Sequence, residues 1–170
     1  MMAPNQGSGK IICVFGPPFS GKTYLINHLI DWMDGLITIN FELFYKTYDR
    51  ARECYQAFYN YAYDQMGSRP VILDSVYNRI NNSEYNHNIP VSHYAILCWP
   101  DEKAHKDRFD CFMYALGEEW AYRRTGGLSI KDMRDAFSSR YRRSPTDWHI
   151  LYDGTNIDAV KEGIKNYVSS

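Results

Sequence analysis

The sequence predicts an α/β fold, a parallel five-stranded sheet sandwiched between helices. Two observations predict it. Short apolar runs at residues 11–15, 36–40, 71–74, 93–98 and 149–152 alternate with longer stretches of helical period. A glycine-bearing turn follows the first of these runs directly and leads into an amphipathic stretch. Short apolar runs separated by helices are the pattern of strands covered on both faces.

Each helix has its own signal. The first is expected to begin within the turn and to run through Tyr24-Leu25-Ile26 to Trp32, with Gly35 ending it. A long helix over residues 42–66 is predicted by Phe44, Tyr48, Ala51, Tyr55, Phe58 and Ala62, spaced three or four apart. Gly67 and Pro70 punctuate its end. Ser129-Ile130-Lys131-Asp132 is a capping-box pattern, opening a helix with Ile130, Met133, Phe137 and Tyr141 on one side. Thr155-Asn156-Ile157-Asp158 is expected to open the last helix similarly, with Ile157, Val160, Ile164 and Tyr167 inward. The Asn-rich residues 78–90 read as a loop. There is no internal repeat and no dividing linker, so one domain is expected over residues 10–170, behind a flexible polar tail at residues 1–9.

Composition narrows the function classes. With 170 residues, 45% hydrophobic and 23% charged, the chain suits a single globular core. A net charge of −1 gives no general attraction to nucleic acid. The charge is uneven, however: residues 123–143 hold Arg123, Arg124, Lys131, Arg134, Arg140, Arg142 and Arg143 against only Asp132 and Asp135. Such a run can face phosphates or can be a solvated helix face. The cysteines Cys13, Cys54, Cys98 and Cys111 form no C-x-x-C pair and read as thiols of a reducing cytoplasm. The histidines lack H-x-x-x-H spacing, which gives a zinc site little support. No apolar run approaches the ~18 residues of a membrane span, and MMAPNQGSGK lacks the apolar stretch of a secretory signal. A cytoplasmic protein with no membrane partner is expected.

Residues 16–23, GPPFSGKT, fit G-x-x-x-x-G-K-[ST], the phosphate-binding loop. Gly16 and Gly21 let the backbone of the loop, which runs through Pro17, Pro18, Phe19 and Ser20, turn so that successive N–H groups face phosphate oxygens. Lys22 supplies a point charge near the β- and γ-phosphates, and the Thr23 hydroxyl can ligate Mg²⁺. ATP or another nucleoside triphosphate is the expected ligand. Asp74, closing the third apolar run, can reach the same metal from an adjacent strand, or can simply cap the following turn. Glu42, just after the second run, is open to two readings. It can accept the proton of an attacking hydroxyl at the carboxyl edge of the sheet, or it can complement a helix dipole in the first turn with Asn40 as cap.

With these residues in place, the chain resembles the small P-loop kinases of the polynucleotide kinase family along nearly its whole length. Ile39-Asn40-Phe41-Glu42, Asp74-Ser75-Val76-Tyr77-Asn78 and the arginines beyond Trp99-Pro100 match that family's pattern. Ser129-Ile130-Lys131-Asp132-Met133-Arg134 and Tyr152-Asp153-Gly154-Thr155 resemble its closing helix and last strand. The resemblance implies a P-loop kinase fold with an Arg-bearing lid. It also implies transfer of the γ-phosphate of ATP, with Mg²⁺, to a hydroxyl of a nucleic acid or nucleotide. By the same resemblance Glu42 stands for the family's catalytic acid, and Arg108 falls near its first lid arginine. Arg124, before Thr125-Gly126-Gly127, is the best-placed lid arginine, with Arg123 beside it at the nucleotide.

Three departures bear on the acceptor. Glu42 replaces an Asp, Tyr45 replaces the Arg that grips an acceptor phosphate, and residues 117–127 resemble an insertion in the lid. Acceptors compatible with them are a 5′-hydroxyl end, a base-borne hydroxyl such as 5-hydroxymethyluracil in phage DNA modification, and a free nucleoside or nucleotide. Among Tyr45, Tyr48, Tyr55, Tyr59, Tyr61 and Tyr63, most rings are expected to pack against the sheet, and any remainder offers stacking surface. A P-loop NTPase switch that hydrolyses without transferring is the alternative from another class. The lid arginines favour the kinase, because such groups neutralise charge on a transferring phosphoryl.

Overall fold

Along the first strand, β1 (Ile11–Phe15), successive side chains enter two different apolar layers, and all of them are buried. In a computed structural model that describes residues 9–67, 69–82, 84–86, 93–143 and 148–170, β1 lies at the centre of a five-stranded, all-parallel sheet. Its companions are β2 (Ile37–Asn40), β3 (Val71–Ser75), β4 (His93–Cys98) and β5 (Ile150–Tyr152), in the order β2-β3-β1-β4-β5. The helices are α1 (Lys22–Trp32), α2 (Glu42–Tyr45), α3 (Ala51–Gln65), α4 (Glu102–Leu116), α5 (Glu118–Arg124), α6 (Ile130–Arg143) and α7 (Ile157–Ser169).

Ile11, Cys13 and Phe15 pack with Tyr55, Phe58, Tyr59 and Ala62 of α3 on one face. Ile12 and Val14 pack with Leu25, Ile26 and Leu29 of α1 and with Val160 and Ile164 of α7 on the other. Each fully buried Leu, Ile or Phe contributes about 1.5–3 kcal/mol, so these two layers hold the sheet rigid. A third cluster joins Phe109 of α4, Ala121 of α5, and Ile130 and Met133 of α6. No helix among the described residues is long and apolar enough to cross a membrane.

Two expectations need correction. Residues 42–66 form two helices rather than one. The Thr47 hydroxyl donates to the Leu43 carbonyl at 2.8 Å, and the Thr47 N–H turns back to Phe44 at 3.1 Å, which tightens and closes α2. Arg50 is then extended, at φ −113° and ψ 137°, before α3 begins. At the last helix, Thr155 is not the cap; α7 starts after Asn156, with no side-chain cap. Asp153 Oδ1 accepts from both the N–H and the hydroxyl of Thr155, at 2.8 and 2.7 Å, and the Asn156 amide donates to the Leu151 carbonyl at 2.8 Å. These side chains tie the turn back to β5 instead of forward into the helix. At Ser129 the forward half of the capping box forms, the hydroxyl accepting from the Asp132 N–H at 3.1 Å. In the Asn-rich segment, Asn78 and Asn82 accept from the N–H groups of Ile80 and Glu84 as local turn caps. Residues 83 and 87–90 of that segment, and residues 1–8 of the tail, lie outside the described residues.

Candidate active site

The parallel register gathers the loops that follow the strands at one edge of the sheet, where ligands of open α/β sheets bind. Gly16 leaves β1 there, and an added Cβ would meet the Cys98 carbonyl oxygen at the end of β4 at 2.5 Å. Gly21 has φ +98°, and a Cβ on it would meet Nη1 of Arg108 at 2.5 Å. Both positions therefore need glycine, one against backbone and one against a guanidinium. Lys22, the first residue of α1, donates from Nζ to the carbonyls of Gly16 at 2.5 Å and Pro17 at 3.0 Å. Burial lowers its pKa, and Asp74 is the foremost of the negative groups that oppose this.

Two polar atoms in this loop region are buried with no hydrogen-bond partner among the described residues: Ser20 Oγ and Arg108 Nη1. Leaving such atoms unpaired is costly, and a phosphate oxygen is the acceptor that an arginine N–H beside Gly21 lacks. The loop and Arg108 thus fit a nucleotide phosphate.

Asp74 is in register with Val14 of β1 and Asn40 of β2, and the Asn40 amide donates to its Oδ2 at 3.4 Å. Burial raises the Asp74 pKa, while Lys22 pulls it down. Thr23 is exposed in the first turn of α1. A hydroxyl and a carboxylate are hard oxygen donors that fit Mg²⁺, which keeps several waters and needs few protein ligands. No group of three or more His, Cys, Asp or Glu suited to a metal occurs among the described residues, so a metal here would rely on that small donor set.

Glu42 sits two residues beyond β2. Its N–H is bonded to Asn40 Oδ1 at 2.8 Å, which fixes the start of α2. Its carboxylate lies 3.5 Å from Nη1 of Arg124, with the two side chains 60% and 49% exposed. An ion pair this open contributes at most about 1 kcal/mol, so its interest is positional. Arg124 stacks over the Trp120 ring at 4.8 Å. Helices α4 and α5 therefore bring Arg108 to the phosphate loop and Arg124 to Glu42. Arg123 instead pairs with Glu119 of its own helix, at 3.1 Å. Beside Glu42, Leu43 and Tyr45 of α2 are 69% and 66% exposed. Of the tyrosine-rich span only Tyr55 and Tyr59 are buried against the sheet, not most of the rings as expected; Tyr45 of α2, Tyr48 of the turn that follows it and Tyr61 on the outer side of α3 are exposed.

Sequence reasoning missed His105 and the role of Arg134. His105, on α4, is fully buried. A carbonyl cannot donate, so Nε2–H must donate to the Pro18 oxygen at 2.7 Å, and Nδ1 then accepts from Arg134 Nη1 at 3.0 Å. Arg134 also donates to the Pro100 carbonyl at 2.7 Å and lies over the Trp99 ring at 4.5 Å. Burial above all, with Arg134, Arg108 and Lys22 adding positive charge, pushes the His105 pKa down to about 4. The available signal was spacing: His105, Arg108 and Phe109 share one helix face directly after the fourth strand.

No protein-family model matches the sequence, and no curated protein matches it. Solved structures do match the fold. A chain of the Pnkp1/Rnl/Hen1 RNA repair complex superposes with a TM-score of 0.54 at 14% identity, over 82% of this chain and 46% of that one. The present chain thus spans about half of that protein's length. A protein from Chloroflexus aurantiacus gives 0.53 at 16% identity, over 94% of this chain and 98% of that one. Shikimate kinase from Acinetobacter baumannii, in complex with shikimate, gives 0.51 at 16% identity, over 92% and 89%. At these identities the likeness is one of fold. The all-parallel sheet in the order β2-β3-β1-β4-β5, with helices on both faces, is the P-loop kinase fold.

Proposed function

We propose that the protein is an ATP-dependent phosphotransferase, polynucleotide-kinase-like, that moves the γ-phosphate to a hydroxyl of a nucleic acid or nucleotide. One observation carries the reading: the α4–α5 pair sets Arg108 against the phosphate loop and Arg124 against a carboxylate just beyond the end of β2. A carboxylate beside a lid arginine can act on an acceptor hydroxyl or on water, so transfer to an added acceptor is what separates the kinase from a switch that only hydrolyses.

In this reading the loop backbone, Lys22 and Arg108 bind the phosphates and offset their charge. Mg²⁺, held by Thr23 and Asp74 with the nucleotide, would supply further neutralisation of the phosphate oxygens. Glu42 takes the proton of the acceptor hydroxyl as its oxygen bonds to the γ-phosphorus. The bond from that phosphorus to the β–γ bridging oxygen breaks, and ADP leaves. Arg124, within reach of Glu42, faces the charge that builds on the transferring group. Tyr45 gives the acceptor pocket an aromatic wall and no positive charge. That exposed ring favours, as a second acceptor, a hydroxyl carried on a base, such as 5-hydroxymethyluracil in phage DNA.

Labelled ATP offered with 5′-hydroxyl DNA, 5′-hydroxyl RNA, hydroxymethylated DNA and free nucleotides tests the reading. Lys22→Ala should reduce transfer roughly a thousandfold or more in a folded protein. Glu42→Gln should lower kcat by roughly 10²–10⁴ with ATP binding retained. Hydrolysis with no transfer to any acceptor would favour the switch, and full-rate transfer by Glu42→Gln would leave Glu42 a helix-start residue.

A further inference from the structure

We propose that Phe19 is a positioning residue whose ring fastens the phosphate loop to the arginine-bearing helices and so sets where Arg108 and Arg124 stand. The inference rests on the kinase reading but is tested separately from it. Phe19 has φ +63°, the one positive φ at a non-glycine among the described residues. That conformation is unfavourable for an L side chain and free for glycine, and a large ring persists in it only where the surroundings compel it. The surroundings here are three rings of α4 and α5. Phe19 lies 5.4 Å from Phe109 and 6.1 Å from Trp120, both edge-on, and 5.3 Å from Phe112.

Those rings adjoin the site's two arginines. Phe109 follows Arg108 in the chain, and the guanidinium of Arg108 lies against Gly21 of the same loop. Trp120 carries Phe19 as one neighbour and the Arg124 guanidinium as another, at 4.8 Å. One residue before Phe19, the Pro18 carbonyl is held by His105 of α4. Loop and lid are therefore joined at two successive residues, by a hydrogen bond and by an aromatic clasp. A Phe19 that merely filled a core would affect stability alone. A clasp affects where two arginines stand, which is felt in the transition state.

Phe19→Gly places in the loop the residue best suited to its backbone, so the fold should persist by circular dichroism. Its kcat should fall roughly 10- to 100-fold, as small misplacements of catalytic groups do, with ATP affinity within about threefold of wild type. The emission of Trp120, taken by difference from Trp120→Phe, should shift to the red in Phe19→Gly. It should also lose the change that a non-hydrolysable ATP analogue induces in wild type. Wild-type kcat in folded Phe19→Gly overturns the proposal, and so does an unaltered Trp120 response. Should Phe19→Gly fail to fold, Phe112→Ala decides, because that ring is 43% exposed and outside the buried layers; wild-type kcat there overturns the proposal equally. The emission measurement needs no acceptor. A protein that transfers to nothing, yet loses its Trp120 response in Phe19→Gly, would sustain the clasp while removing the kinase reading.

Discussion

Acid should loosen the phosphate loop through His105, by an amount that its contacts define. The ring is buried and neutral, with Nε2–H on the Pro18 carbonyl and Nδ1 receiving an N–H of Arg134. Protonation at Nδ1 would set one N–H donor against another and add a charge near Arg134, Arg108 and Lys22. The folded-state pKa is about 4 against an ordinary 6.5, so between those values the unfolded chain binds a proton that the folded chain excludes. Stability from this group is fully present above the ordinary value and is lost as pH falls toward about 4. At about 1.4 kcal/mol per pH unit, the whole window amounts to roughly 3 kcal/mol. Denaturant unfolding of wild type and His105→Gln, from about pH 7.5 to about pH 4.5, measures it. Glutamine does not titrate, and the carboxylates are common to both proteins. Wild-type stability should therefore fall relative to the variant by roughly 2–3 kcal/mol on acidification. Parallel stability curves for the two proteins would refute the assignment of a buried neutral imidazole.

Arg108→Ala and Arg124→Ala should each lower kcat by roughly 10²–10³ while changing nucleotide affinity far less; steady-state kinetics beside calorimetric ATP titration separates the two. Gly16→Ala should weaken nucleotide binding by about tenfold or more, because its Cβ meets the Cys98 carbonyl of β4 and that backbone has no room to move; unchanged ATP affinity would contradict the packing described. Gly163→Ala gains about 1 kcal/mol of helix propensity, yet its Cβ would collide with the Tyr94 hydroxyl. Overpacking of this kind costs about 1–3 kcal/mol, so the urea midpoint should fall, and a rise would show that Tyr94 swings aside freely.

The strands and the phosphate loop were legible because each depends on local pattern: a short apolar run, or glycines at fixed spacing. The break before Ala51 was not legible, because Phe44, Tyr55 and Phe58 reach the same layer across it and keep helical spacing. Periodicity records which residues face the core; it does not record a Thr47 hydroxyl closing one helix or an extended Arg50 opening the next. Part of the basic run was similarly opaque. Arg134 is occupied by Pro100, His105 and Trp99, while Arg140 donates to the Tyr77 hydroxyl at 2.9 Å. Counting charges shows none of these partners, since all come from distant stretches of chain. Phe19 was hidden for another reason. It occupies a position that the loop motif leaves open, and its consequence lies in three rings about a hundred residues away.

The Lys22 ammonium illustrates what this arrangement means for turnover. Both of its bonds are made to carbonyls of its own loop, Gly16 and Pro17. Two of its three N–H groups are so engaged, and a phosphate that takes more than the third must draw the ammonium from these oxygens, so that part of the contact is an exchange with little net gain. Arg108 Nη1 surrenders no hydrogen bond when it meets a phosphate. Affinity for the nucleotide should therefore depend less on Lys22 than its charge suggests. In the proposed reaction the same exchange would run in reverse when ADP departs. The loop carbonyls stand ready to receive the ammonium as the phosphates withdraw, which eases a step that is often slower than chemistry in well-evolved enzymes.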